Sequence, residues 1–485
     1  MTHLENGPRA GTARPAGPPA TRTTPAFAVV VSIALVELTS GVMQGFLAPL
    51  LKQLTDTLHV SVADLNWISI ANLLASVAFT PVLSRMGDLY GHRKVLRWNL
   101  AIVLVGSILV GLSRSFEMLL VGQIFQGAFA GFFPLLVGIL RNRGGNSESR
   151  RGISLMVAAL LGGLALGLVA SGAVAAYATS LTAALWVPTA VVAIALAVTW
   201  PLLPESDTRQ SGSVDWLGGL LLCVGLVAVM LGLGLGGTPG WEWTSPRTVA
   251  CLAGGVLVTA VWVLVELRTD SPMIDVRLFV RRNVIVVSLV TLTFPFCMIG
   301  LQVANPVFLG TGSAEAGYGL GLAPLGVALA MLPNMLMTGV GALIAPSLAS
   351  VLSDRRTLVT GSLLMAAGYV SAVVAHDELM LFLAGTAVAG AGAGLMQYAT
   401  RTLAVEAVPR EQTSVGSGIN ELLINVGGSL GAAAVLSISA ARTPAGASLP
   451  RLDAYTTSWW VCAAVSLAGA AIAFFYRRED NPARH

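Results

Sequence analysis

The chain has 485 residues, of which 55% are apolar and only 11% charged, against roughly 25% charged in soluble globular proteins. A bilayer-crossing helix needs about 20 mostly apolar residues, and fourteen such stretches use nearly the whole length, which excludes a soluble multidomain protein. The net charge of +4 comes from bases scattered among the connections, and no basic patch is concentrated enough for a nucleic-acid partner.

In chain order, residues 1–25, rich in Pro, Arg, Thr and Gly, read as a disordered cytoplasmic tail. A cleaved signal peptide does not fit, because the apolar run from Pro25 is too long and lacks a cleavage-site pattern. Spans 1–6 (26–51, 63–83, 95–113, 116–140, 152–177 and 181–203) form a first six-helix half, 26–203. A polar linker, Pro204 to Val214, leads into spans 7 and 8 (215–237 and 246–267), an inserted hairpin within 204–283. Spans 9–14 (284–309, 321–350, 358–376, 379–400, 413–440 and 455–476) form a second half, 284–477, followed by a cytoplasmic tail, 478–485. The expected fold is an all-α polytopic membrane protein.

With the N-terminus inside, all but five of the 28 Lys and Arg residues fall on the cytoplasmic side; the exceptions are Lys52, Arg114, Arg247, Arg442 and Arg451. The positive-inside rule demands this asymmetry. Both termini are therefore expected in the cytoplasm, and the protein in the cell (plasma or inner) membrane. Trp67, Trp241, Trp243, Trp459 and Trp460 sit at span ends, where interfacial anchoring is expected. Four cysteines inside spans read as buried small hydrophobes.

The stretch Ser84–Lys94 between spans 2 and 3 reads as a tight charged turn. Gly87 and Gly91 allow a sharp bend, and Asp88, Arg93 and Lys94 are available to latch onto neighbouring helix ends. Residues 350–356 after span 10, with Asp354 and Arg355, form a reduced counterpart. Such weak internal symmetry is typical of transporters whose halves rock about a central site.

Charges at bilayer depth cost roughly 2.5–3.5 kcal/mol each, and no base is expected mid-span. Two embedded acids therefore stand out, Glu37 in span 1 and Glu421 in span 13. Loss of water favours the neutral form of a carboxyl, so both are expected to exchange protons. Glu37, Ser40, Gly41, Gln44 and Ala48 recur at helical intervals and form one polar stripe expected to face a cavity. Asn72 on span 2, Gln123 and Gln126 on span 4, Gln302 and Asn305 on span 9, and Asn420 and Asn425 on span 13 are expected to line the same cavity. The competing role for each amide is hydrogen-bonded glue between helices. Gly163, Gly167 and Gly172 on span 5, and Gly427 and Gly431 on span 13, suit close helix contact.

Gly87-Asp88-Leu89-Tyr90-Gly91-His92-Arg93-Lys94 resembles the loop motif of the major facilitator superfamily, with Ser84 and Leu89 replacing its usual Gly and Arg. Glu266-Leu267-Arg268 through Pro272-Met273-Ile274-Asp275 resembles the segment after span 8 in the superfamily's 14-span drug:proton antiporter branch. Gly416–Asn420 and Gly427–Gly431 resemble that branch's span 13. The resemblance implies two six-helix halves around a central cavity and a cytoplasmic gate at Asp88, Arg93 and Lys94. Three departures bear on proton antiport. Gln123 stands where the branch carries an Arg; Leu168 and Ser171 replace a Pro and a Gly of the span 5 motif; and the span 1 acid is Glu37, twelve residues before Pro49.

The expected function is export of amphipathic, drug-like small molecules in exchange for protons, with membrane lipid as surroundings and a monomeric state. Export of a specific metabolite or lipid without strict proton coupling is the first alternative, and a non-transporting sensor or scaffold the second. The sequence offers no nucleophile–base pair, metal cluster or phosphate loop, so no enzyme, cofactor or metal is expected.

Overall fold

The computed structural model describes residues 26–47, 50, 54, 62–143, 145–177, 181–203, 212–238, 240–269, 272–313, 317–444 and 449–477. Both expected tails, Ala48 and most of the linker after Pro204 lie outside the described residues. Among those described, fourteen helices are long and apolar enough to cross a membrane.

The first half contains α1 (Ala26–Phe46), α2 (Val62–Tyr90), α3 (His92–Gly111), α4 (Phe116–Gln126 and Phe132–Arg143, joined by a 3-10 turn at Gly127–Gly131), α5 (Asn146–Tyr177) and α6 (Val187–Leu202). The hairpin is α7 (Trp216–Leu235) and α8 (Pro246–Glu266). The second half contains α9 (Arg282–Gly310), α10 (Pro324–Leu352), α11 (Asp354–Val374), α12 (Leu379–Glu406), α13 (Thr413–Ala441) and α14 (Leu452–Ala473). The halves meet where α5 packs on α10 and where α13 packs on α2 and α4. The hairpin lies against α2 and α13. We call the face bearing the N-terminal end of α1, and most of the bases, the basic face.

In each half the first and fifth helices are held together by glycine. A side chain at Gly41 or Gly163 would collide with the backbone of the facing helix, and Gly45 and Gly167 repeat the contact one turn on. In the second half Gly427 lies on Leu292 and Gly431 on Phe296 of α9. Backbones this close gain dispersion and exclude lipid. Gly41 therefore faces α5 and is not part of the polar stripe expected on span 1.

The turn expected between spans 2 and 3 is almost entirely helix. α2 runs through Gly87 and Asp88 to Tyr90, and α3 starts at His92, so Gly91 alone breaks the chain, at φ 100°. The second half repeats this break with a residue that disfavours it, Ser353 at φ 90° between α10 and α11. Hydropathy measures the hydrocarbon thickness, whereas these helices continue into the polar layer. Most expected spans therefore stop short at the basic face.

Trp459 is a further correction. It is buried in an aromatic cluster with Phe308, Phe382 and Tyr455, whereas Trp67, Trp243 and Trp460 are exposed as expected for anchors.

Candidate functional site

Asp88 is fully buried at the end of α2. Its carboxylate accepts from the backbone amides of Ser414, at 3.2 Å, and Val415, at 3.1 Å, in the first turn of α13. A helix N-terminus offers unpaired N–H groups and partial positive charge, so an acid of one half caps a helix of the other. His92 Nε2 lies 2.9 Å from the same carboxylate. One turn earlier, buried Arg85 feels the charges of Asp88 and of two hairpin acids, Glu266 and Asp215. Glu266 ends α8 and accepts from Trp262 Nε1 and Met273 N, both at 3.0 Å. Met273 and Ile274 then pack in one cluster with Val415.

The second half returns the contact. Arg150, near the start of α5, donates to both oxygens of Asp354, at 2.7 and 3.0 Å, and to both oxygens of Glu406, at 2.7 and 2.6 Å. Arg141 of α4 reaches the turn between α12 and α13, donating to the Val405 carbonyl, to the Val408 carbonyl at 3.1 Å and to Thr413 Oγ1 at 3.2 Å. Each break thus presents an acid to the N-terminal end of the other half's fifth helix. The registers differ: Asp88 precedes its break by three residues, and Asp354 follows its own directly. The remaining bases expected in the gate point elsewhere. Arg93 donates to the Trp200 carbonyl, Lys94 lies over the Trp98 ring and Arg355 over the Phe474 ring.

A second charged group lies deeper. Glu37 is 1% exposed, and its Oε1 has no hydrogen-bond partner. It feels the charges of Glu421 and Arg401, both from the second half. Arg401 is buried inside α12, five residues from its end and just beyond the span expected there, so that no base lies mid-span among the described residues even though one is buried close by. Its Nε and Nη2 donate to Glu421 at 2.7 and 3.2 Å, its Nη1 donates to Gln397 Oε1 at 2.8 Å, and the guanidinium lies 4.7 Å from the Phe133 ring of α4. At 1.5 Å per residue, Glu421 is about 12 Å along α13 from the basic face. Arg401 starts five residues inside the end of α12, and its long side chain spans the difference in depth. Glu37 of the first half thus lies within electrostatic range of an ion pair that belongs wholly to the second.

The expected cavity amides divide. Asn72 donates to Gln123, Gln123 to Gln126 at 2.9 Å, and Gln126 to Ser107 at 3.1 Å, a neutral chain running from α2 through α4 to α3. Asn420 accepts from Thr291 of α9, and Asn305 accepts from Trp459 of α14, each at 3.0 Å. Gln126, Asn305 and Asn420 thus bond inside their own halves. Ser40 is buried and accepts from exposed Gln44 at 3.3 Å; Gln302 is exposed, and Asn425 is half-buried. Gly172 falls within α5, but its surroundings lie outside the described residues.

Sequence reading missed Arg85, Arg141, Arg150 and Arg401. For Arg401 a signal existed: an acid as deep as Glu421 needs a base at matching depth on a neighbouring helix.

Fourteen crossing helices in two clasped halves, with charge buried between them, define a membrane transporter. A family model for the Major Facilitator Superfamily matches residues 33–332 and 287–485, and the chain belongs to that superfamily. It is 26% identical to the tetracenomycin C resistance and export protein of Streptomyces glaucescens, over 86% of this chain and 76% of that protein. It is 25% identical to the multidrug efflux pump LfrA of Mycolicibacterium smegmatis, over 94% of this chain and 89% of that one. A solved structure of the proton:xylose symporter XylE, of the same superfamily, aligns with a TM-score of 0.65 over 92% of this chain and 95% of that one. At 13% identity, that likeness is one of fold.

Proposed function

We propose that the chain exports amphipathic, antibiotic-like small molecules from the cytoplasm across the cell membrane in exchange for protons. The observation that carries this reading is Glu37, a buried carboxyl with an unpartnered oxygen, within electrostatic range of Glu421 and Arg401 of the other half. An ionised carboxylate left unpaired in a dry site is costly, so Glu37 carries a proton while the basic face is clasped. The relatives named for tetracenomycin export and multidrug efflux support the substrate class.

The basic face is the cytoplasmic one in this reading. Its clasp at Asp88, Arg141, Arg150 and Asp354 closes the path inward, and Glu37 is loaded from outside. When the clasp opens, the proton leaves to the cytoplasm, and the ionised carboxylate receives a substrate of positive or strongly polar character. Exchange of one proton for one monovalent cation moves no net charge, so the pH difference supplies the drive, about 1.4 kcal/mol per pH unit.

The test is uptake of a lipophilic cation into inside-out vesicles. Uptake driven by an imposed pH gradient, and lost in Glu37→Gln, is the expected result. The neutral chain at Gln123 favours a second reading, export of a metabolite or lipid without strict coupling. Transport that ignores the gradient would select it.

A further inference from the structure

We infer that the inserted hairpin is a working part of the gate, with Glu266 as its positioning residue. Glu266 holds the segment after α8 against the turn of α13 that Asp88 caps. This rests on the proposed opening of the clasp during transport and adds what keeps it shut.

The hairpin is one stiff unit that bridges both halves along the seam between α2 and α13. A Cβ at Gly225 would lie 3.0 Å from the Thr259 amide nitrogen, and one at Gly255 would lie 2.8 Å from the Gly225 carbonyl, so α7 and α8 touch backbone to backbone. Within the seam, Met230 of α7, Val77 of α2 and Leu422 of α13 form one buried cluster. Cys223 Sγ donates to the Ala78 carbonyl of α2 at 3.2 Å. At the face opposite the clasp, Trp243 Nε1 donates to Ser437 Oγ of α13 at 3.0 Å.

At the basic face the contact passes through Glu266. Its buried carboxylate divides its oxygens, Oε1 accepting from Trp262 Nε1 and Oε2 from the backbone N–H of Met273. That fixes the chain just past α8. Met273 and Ile274 are buried and pack with Leu222 and Trp262 on Val415, and Val82 of α2 borders the same cluster. Val415 is therefore held twice: its amide donates to Asp88, and its side chain lies in the hairpin's cluster. Parting α2 from α13 at this face strips apolar surface from that cluster, a cost added to the loss of the cap. An amide does not replace Glu266, because a Gln offers one acceptor oxygen to two N–H groups and turns its own donors on one of them.

The experiment reads opening of the basic face as the maleimide reaction rate of Ser84→Cys in detergent. The native cysteines are replaced, with Cys223→Ser to keep its donor. Glu266→Gln should raise the rate about two- to tenfold, the range of one net hydrogen bond; an unchanged rate overturns the inference. Should Glu266→Gln fail to fold, Trp262→Phe removes one of the two bonds, keeps the charge and carries the same expectation. Ile274→Ala keeps the carboxylate and both bonds, and should also raise the rate; no change there means that Glu266 acts by charge alone, which overturns its positioning role. Ser437→Ala loosens the hairpin at the far face and should leave the rate as it is; a rise equal to that of Glu266→Gln would make the effect one of general stability and overturn the inference too. Combined with Asp88→Asn, Glu266→Gln should add less than its own factor, since both act on one turn; factors that multiply in full contradict this. Asp88→Asn alone is the reference: if it leaves the rate unchanged, the reading of the clasp fails instead.

Discussion

Asp88 caps a helix that belongs to the opposite half of the molecule, so its charge acts where the halves part. An anion at a helix N-terminus contributes about 0.3–1 kcal/mol at the surface and up to ~2 kcal/mol when partly buried. Asp88→Asn removes the charge and weakens the clasp. In a cysteine-free background, Ser84→Cys, whose native side chain is buried beside Gly418, should then react with a maleimide up to about thirtyfold faster; an unchanged rate would refute the capping role. Backbone conformation gives a second prediction. Ser353 holds φ 90° and ψ 157°, a region essentially reserved for glycine that costs other residues about 1–3 kcal/mol. Ser353→Gly should raise thermal stability and Gly91→Ser should lower it, as read by melting in detergent. At this scale the sequence was only half legible. Glu37 and Glu421 stood out because charge in an apolar run is conspicuous, whereas Arg401 sits where a hydropathy window ends.

Among the elements, α1 and α5 approach so closely that Gly163 has no room for a Cβ, while neighbouring Gly162 faces open space. Overpacking costs about 1–3 kcal/mol. Gly163→Val should therefore lower the melting temperature by several degrees and Gly162→Val should leave it unchanged; equal effects would contradict the packing described. Small-xxx-small spacing made the glycine faces legible but not their partners. Spacing names a face, and only the fold says which helix covers it. That is why Gly41 read as cavity lining and proved to be contact surface. The charged turn misread in the same way: Gly87 and Gly91 look alike in sequence, yet Gly87 is helical and only Gly91 bends.

For the whole molecule, the clasp is reciprocal, with Asp88 reaching α13 and Arg150 of α5 reaching Asp354. The count of spans, the inserted hairpin and the repeat were legible, because they rest on length and composition over hundreds of residues. The contacts between halves were not, since they join residues up to 327 positions apart. If transport requires the basic face to open, a covalent staple across it stops transport. A Cβ at Gly418 would lie 3.1 Å from that of Ser84, near the ~3.5–4.5 Å spanned by a disulfide. In the cysteine-free background, oxidised Ser84→Cys/Gly418→Cys should be inactive and recover on reduction; full activity when oxidised would place the moving gate elsewhere. In the proposed cycle Glu37 gives up a proton when substrate binds. A pH-sensitive dye in weakly buffered detergent solution reads this directly on addition of tetraphenylphosphonium. About one proton per bound cation from the wild type, and none from Glu37→Gln, is the predicted result; equal release from both, or none from the wild type, would contradict it.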